Sequence, residues 1–254
     1  MEKRLVLVLT LMLAVAGMAQ QPDSVGQWFE EGNAAYNEGN FEQAMTAYQR
    51  IVDAGMESGE LYYNMGNTYY KMKDYPHAIL FYEKALKLDP SDEDIRVNLE
   101  IANMAVVDKI TPIPQSFLER WWNTLRSVFT ADGWAWLSVA FFALLLTCLF
   151  AFLMSRRMAF RKLGFFVGVV ALLCLAFSVA FAIESQRAMT RQDQAIIMTP
   201  TVTAKSSPSE QSVDLFVLHE GTKVRVLDSA RDWNKIRIAD GSVGWLPASE
   251  MTQF

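Results

Sequence analysis

The chain has 254 residues, 52% hydrophobic and 20% charged, which excludes disorder as its dominant state. A net charge of −5 leaves no basic surface for a nucleic-acid backbone. Two Cys and two His all but exclude a disulfide scaffold or a Cys/His metal site. The mean hydropathy of +0.11 is high for a soluble protein, and the excess is concentrated in three runs.

The first run opens the chain. Lys3 and Arg4 precede an apolar stretch from Leu5 to Ala16, and Gly17-Met18-Ala19 offers a small-residue cleavage site before Gln20. As a helix the stretch reaches only about 18 Å, short of the ~30 Å hydrocarbon core. Residues 1–19 therefore read as a signal peptide, cleaved rather than kept as an anchor.

Residues 20–108 form the first exported domain, and within it a pattern recurs every 34 residues. Trp28-Phe29-Glu30-Glu31-Gly32-Asn33-Ala34-Ala35-Tyr36 aligns with Tyr62-Tyr63-Asn64-Met65-Gly66-Asn67-Thr68-Tyr69-Tyr70, and Phe41, Ala44 and Tyr48 align with Tyr75, Ala78 and Tyr82. Small residues at Gly32, Ala44, Gly66 and Ala78 let two helices approach closely, with aromatics filling the gaps beside them. Gly39-Asn40 and Lys73-Asp74 mark the turn inside each unit, and Asp89-Pro90 closes the second. The pattern resembles the tetratricopeptide repeat, with units at about 25–58 and 59–92. Residues 93–108 then read as a capping helix, with Ser91 as N-cap and Ile95, Leu99, Ala102 and Val106 as its apolar stripe. Glu100 stands where a further repeat would want Gly.

The resemblance implies a concave groove lined by the first helix of each unit, carrying Phe29, Asn33, Tyr36 and Asn37, then Tyr63, Asn67, Tyr70 and Lys71. Asn can pair with a peptide backbone and Tyr offers amphipathic contact area, so protein partners are expected there; completing a small core is the other reading. Carboxylate-clamp members of the family place basic residues at the sites of Phe29 and Tyr63, so capture of a C-terminal carboxylate is not expected. Residues 20–133 carry 18 acids against 9 basic residues, which favours a basic partner over an anionic lipid surface.

Pro112 and Pro114 are expected to stop the capping helix. The Pro/Trp-rich segment 109–133 follows, where Leu118, Trp122, Leu125 and Phe129 line one helical face and Phe117, Trp121 and Val128 widen it. This reads either as an interfacial helix leading into an aromatic belt or as a packing face for the neighbouring domain.

Trp134–Met154 and Leu163–Ile183 are each 21 residues without a charge, about 31 Å as helix, and read as two transmembrane helices. The loop 155–162 between them holds Arg156, Arg157, Arg161 and Lys162 and no acid, whereas the outer flanks carry two basic residues each. The positive-inside rule places this loop in the cytoplasm and both soluble domains outside. Cys148 and Cys174, within the helices, are offset by about 7 Å along the axis, so packing rather than a crosslink is expected of them.

Residues 184–194 read as a polar stalk. Strand chemistry then appears at Ala195–Met198, Asp214–Leu218, Thr222–Leu227, Trp233–Ile238 and Val243–Leu246, with turns at Glu220-Gly221, Ala230-Arg231-Asp232 and Asp240-Gly241. Five short strands indicate a small barrel, and the order within residues 195–254 resembles a bacterial SH3 domain. That resemblance makes Trp233, Trp245 and Pro247 candidate surface residues. No Tyr follows Tyr82, so the aromatic wall that polyproline recognition needs is missing. Trp233 and Trp245 fit a core role as well as a ligand surface.

Catalysis is not expected. No exported Cys, paired-carboxylate site or phosphate loop is found, and His77 and His219 read as ordinary surface residues in different domains. The fold class is thus multidomain: an all-α repeat domain, two transmembrane helices and a small all-β SH3-like barrel, with no metal or cofactor. The order of these parts, the segment Pro112–Trp136 and the loop carrying Arg156 and Arg157 resemble the BatE-like family of aerotolerance-operon proteins of Bacteroides-type bacteria. The resemblance implies a multi-pass inner-membrane scaffold in a membrane complex. Its partners would be von Willebrand factor A-domain membrane proteins and a MoxR-type ATPase, and its setting oxygen or envelope stress. A cell-envelope tether whose SH3-like domain binds peptidoglycan is the alternative.

Overall fold

The computed structural model describes residues 23–114 and 116–254, so the expected signal peptide lies outside the described residues. Among these described residues, those up to Glu57 and those from Ser58 onward form two compact units.

In the first unit, helix α1 (Asp23–Asn37) packs on α2 (Phe41–Asp53). Gly39 turns the chain between them in the left-handed region, where a side chain would be strained. Close approach is set by Gly32, where a Cβ would run into the Tyr48 ring.

The second unit begins with α3 (Gly59–Lys71), α4 (Tyr75–Leu88) and α5 (Glu93–Met104). Ser58 caps α3 by accepting from the Leu61 N–H, and Asp74 caps α4 through the His77 N–H. The cap of α5 is Asp92, which accepts from Asp94 and Ile95, rather than Ser91. Ser91 instead turns back and donates its N–H and hydroxyl to the Asp89 carboxylate, the stronger acceptor within reach. Helix α5 ends eight residues before Pro112, so proline is not what stops it. Lys109 curls back to cap the carbonyls of Asn103 and Met104.

Next in the chain come α6 (Phe117–Arg126), α7 (Ala131–Met154) and α8 (Met158–Thr190). Helices α7 and α8 are long and apolar enough to cross a membrane. They meet along a seam of small residues: a Cβ at Gly164 would lie 2.9 Å from the Cys148 carbonyl oxygen, one at Gly168 would lie 3.4 Å from its Cβ, and Ala171 is buried nearby on the same face. The link between the two helices is only Ser155–Arg157. Arg161 and Lys162 therefore belong to the first turns of α8, because Met158-Ala159-Phe160 contains no helix breaker. Nor are residues 184–190 a stalk: they continue α8, being free of Gly and Pro, and only Arg191–Asp193 separates the helix from the first strand.

The C-terminal domain is one antiparallel sheet of seven strands rather than five. They are β1 (Gln194–Ile197), β2 (Thr201–Lys205), β3 (Asp214–His219), β4 (Lys223–Ala230), β5 (Trp233–Arg237), β6 (Val243–Pro247) and β7 (Met251–Gln253), in the order β3-β2-β6-β5-β4-β1-β7. Ile197, Ala204, Leu218, Val224, Ile236, Leu246 and Met251 come from seven different strands yet share one core, so the sheet wraps around it. Turns at Gly221, Arg231 and Gly241 take positive φ where turns were expected.

Candidate partner-binding surfaces

Each repeat builds the same small device from residues 34 apart. In the first, the Tyr48 hydroxyl donates to Asn33 Oδ1 (2.8 Å), Phe29 packs on the Tyr48 ring, and Tyr36 meets Phe41 edge-on (5.6 Å). In the second, Tyr82 donates to Asn67 Oδ1 (2.8 Å), Tyr63 packs on Tyr82, and Tyr70 meets Tyr75 edge-on (5.6 Å). The physical cause is the glycine on the first helix. Its missing Cβ lets the tyrosine of the second helix lie flat across it and reach the next residue.

This changes what the asparagines do. Asn67 Oδ1 accepts from Tyr82 and also from Asn98 Nδ2 of α5 (3.0 Å), whose second bond goes to the Tyr63 hydroxyl (2.8 Å). Asn67 is thus a structural keystone of α3, α4 and α5 as well as a residue of the expected groove. Asn98 was not among the expected residues. It follows Asn64 by one repeat, and that spacing would have marked it. Asn37 and Lys71 are exposed at the ends of their helices.

One repeat beyond Tyr63, Asn67 and Tyr70 lie Val97, Ile101 and Met104. All three are exposed (46%, 41% and 67%), whereas Ile95 and Ala102 on the other stripe of α5 are buried. Helix α5 is therefore apolar on two faces. A purely solvating cap would keep its outer face polar.

On the sheet, Trp233 pairs with Pro247 and Lys235 with Trp245 across β5 and β6. These four are half-buried on the outer face, while Asn234, Ile236, Gly244 and Leu246 point inward. The ammonium of Lys235 lies 6.0 Å from the Trp245 ring centre. Neither Trp is among the residues of the sheet's core, and both are half-buried.

Both histidines are partly exposed, and each pairs with an aspartate. His77 stacks on Tyr69 at 4.9 Å and pairs with Asp74. His219 joins the sheet to the helical repeat: the Asp108 carboxylate accepts from its N–H (2.7 Å) and from the Thr222 hydroxyl (2.7 Å), and faces its Nδ1 at 2.8 Å. Burial alone would raise the Asp108 carboxyl. The hydrogen bonds from the His219 ring, the Thr222 hydroxyl and the His219 N–H outweigh it and hold that carboxyl below its ordinary value. Around this clamp, a Cβ on Gly221 would stand 2.9 Å from Val106, and Lys223 pairs with Glu83 at 2.7 Å.

Near the ends of the apolar helices, Trp122 and Trp134 lie against Phe181 (4.7 and 4.8 Å). Phe117, Leu118 and Trp121 remain exposed on α6. At the opposite end Arg156, Arg157, Arg161 and Lys162 are exposed, with Arg161 over the Phe152 ring. Among the described residues no group of three or more His, Cys, Asp or Glu is placed to hold a metal.

The family pattern Tetratricopeptide repeat matches residues 59–92. The chain is also similar to human "Tetratricopeptide repeat protein 12", 34% identical over 77 residues, or 30% of this chain and 11% of that protein. The chain thus spans about a tenth of the relative's length. It carries a tetratricopeptide repeat, a helical module of protein–protein interaction.

Proposed function

We propose that the chain is a non-catalytic inner-membrane scaffold: α7 and α8 cross the bilayer, and the repeats outside hold protein partners. The single observation that carries this reading is the second apolar face of α5. Val97, Ile101 and Met104 are exposed one repeat beyond Tyr63, Asn67 and Tyr70, where a groove would continue. The wide exposed apolar surface of α7 and α8, from Phe142 to Phe177, suits lipid. Exposed Arg156, Arg157, Arg161 and Lys162 suit a cytoplasmic end. The resemblance to BatE-like aerotolerance proteins then names the partners, von Willebrand factor A-domain membrane proteins with a MoxR-type ATPase, and the setting, oxygen or envelope stress.

The test is mild-detergent affinity purification of the full-length protein beside Ile101→Glu. Ile101 is exposed, so the variant is expected to keep its circular dichroism and thermal midpoint while stoichiometric membrane partners fall at least tenfold. Asn67→Ala is the wrong probe, since it also strips acceptors from Tyr82 and Asn98. Partners retained by folded Ile101→Glu would sink the groove reading.

A second reading has its own observation, the outward cluster of Trp233, Lys235, Trp245 and Pro247. It makes the SH3-like domain a peptidoglycan-binding tether. Full-length protein would then sediment with purified peptidoglycan and Trp245→Ala would not, whatever the state of the groove.

A further inference from the structure

A cavity of about 200 Å³ lies where the end of α4, the start of α7, the polar extension of α8 and strands β1 and β4 meet. We infer that this cavity is a binding site for a singly charged phosphodiester, held by Lys87, Lys223 and the hydroxyl of Ser185. The inference goes beyond partner binding and uses none of the groove residues.

Charge bookkeeping comes first. The cavity wall holds two cations, Lys87 and Lys223, and one anion, Glu83, a surplus of one positive charge. Lys223 is paired with Glu83 at 2.7 Å, and just outside the wall Arg225 faces Asp193 at 3.8 Å. Lys87 is left donating to the Arg191 carbonyl and lying 4.9 Å from the Phe254 ring centre, with Lys223 over the same ring at 5.8 Å. Among the described residues it has no carboxylate in contact. Burial, with Lys223 and Lys84 nearby, lowers the Lys87 ammonium from its ordinary value, against the pull of Asp193 and Glu83. A partly desolvated surplus cation is costly unless a counter-charge arrives.

The second observation is independent of the lysines. Ser185 is only 7% exposed and lines the cavity. Gln194 at the start of β1 also lines it. Ammonium and hydroxyl donors converging on a space with one surplus charge suit a monoanion with several acceptor oxygens. Leu86 and Leu88 give the same cavity an apolar wall, which fits the carbon attached to the phosphate.

Two sources share this chemistry. Ser185 follows the uncharged stretch Leu163–Ile183 by two residues, and Ala131 opens α7, so in a membrane-crossing chain the cavity lies at headgroup depth. A phospholipid would then supply the phosphodiester; a soluble phosphodiester is the other source.

The experiment is native mass spectrometry of the full-length protein in detergent, with dioleoylphosphatidylglycerol, dioleoylglycerol or dimethyl phosphate added. One phosphatidylglycerol per chain is expected, retained at least tenfold better than the uncharged diacylglycerol. Lys87→Gln should lower its affinity about tenfold, and Glu83→Gln, which leaves a surplus of two charges, should raise it by a similar factor. That gain cannot be mimicked by unfolding. Dimethyl phosphate binding with the same variant dependence, without lipid retention, would assign the soluble source. Equal retention of diacylglycerol, or affinities unmoved in both variants, would overturn the site. Failure of the scaffold reading is separate, because it is read from partner loss in Ile101→Glu.

Discussion

Asp108→Ala is expected to destabilise the second unit by about 3 kcal/mol, since it leaves the His219 N–H and the Thr222 hydroxyl without an acceptor in a half-buried junction. Hydrogen exchange at the His219 and Thr222 amides should accelerate by two orders of magnitude while amides in the middle of α7 stay protected. Unchanged protection would mean the carboxylate does not hold the repeat to the sheet. The junction should also be pH dependent. The Asp108 carboxyl is held below its ordinary value in the fold, so its contribution is fully present above about pH 4, near the unfolded value. It is lost as pH falls through the lower, folded value. Protection at His219 should therefore decline on acidification in the wild type, and Asp108→Asn should flatten that decline.

The second large effect is at the repeat glycines. In helix interiors Gly→Ala ordinarily stabilises by about 1 kcal/mol through backbone entropy. At Gly66 the sign reverses. A new Cβ would meet the Tyr82 ring at 2.6 Å, and Tyr82 cannot yield because it is 1% exposed and anchored on Asn67. Overpacking of this kind costs about 1–3 kcal/mol, and release of the Tyr82–Asn67–Asn98 chain adds to it. Gly66→Ala is thus expected to cost about 2 kcal/mol net, and Gly32→Ala, where the Tyr48 ring stands closer still, at least as much in its own unit. Gly26, on the same helix as Gly32, has open space where a Cβ would go, so Gly26→Ala should be neutral or stabilising. Thermal unfolding of the three variants checks this, and a stable Gly66→Ala would show that the tyrosine can move aside.

Much of the candidate site was legible because it depends on local spacing. A 34-residue period between Gly32 and Gly66 and between Tyr48 and Tyr82 is a statement about which side chains can touch across a helix pair. Asn98 was hidden because Glu100 breaks the glycine pattern beside it, although the helix face carrying Asn98 continues the repeat. Strands β2 and β7 were hidden for a different reason. Thr201–Lys205 carries two Thr and a Lys and so lacks an apolar run, while Met251–Gln253 is only three residues long and its hydrogen bonds come from β1, far back along the chain. Ala195 and Gln253 are neighbours only after the sheet has closed on its core.

What the sequence determined by itself were the features carried by period and composition: the repeat, two uncharged runs long enough to cross a membrane, and a final segment of short strands. Each follows from interactions within a few residues or from hydropathy summed over one helix. Tertiary structure alone decided that Trp233 and Trp245 lie outside the core, and that Asn67 is shared by three helices. It also decided that Asp108, just beyond α5, is joined to a sheet more than one hundred residues away. Those outcomes depend on which surfaces meet once the apolar faces are buried, and no local pattern of residues encodes that choice.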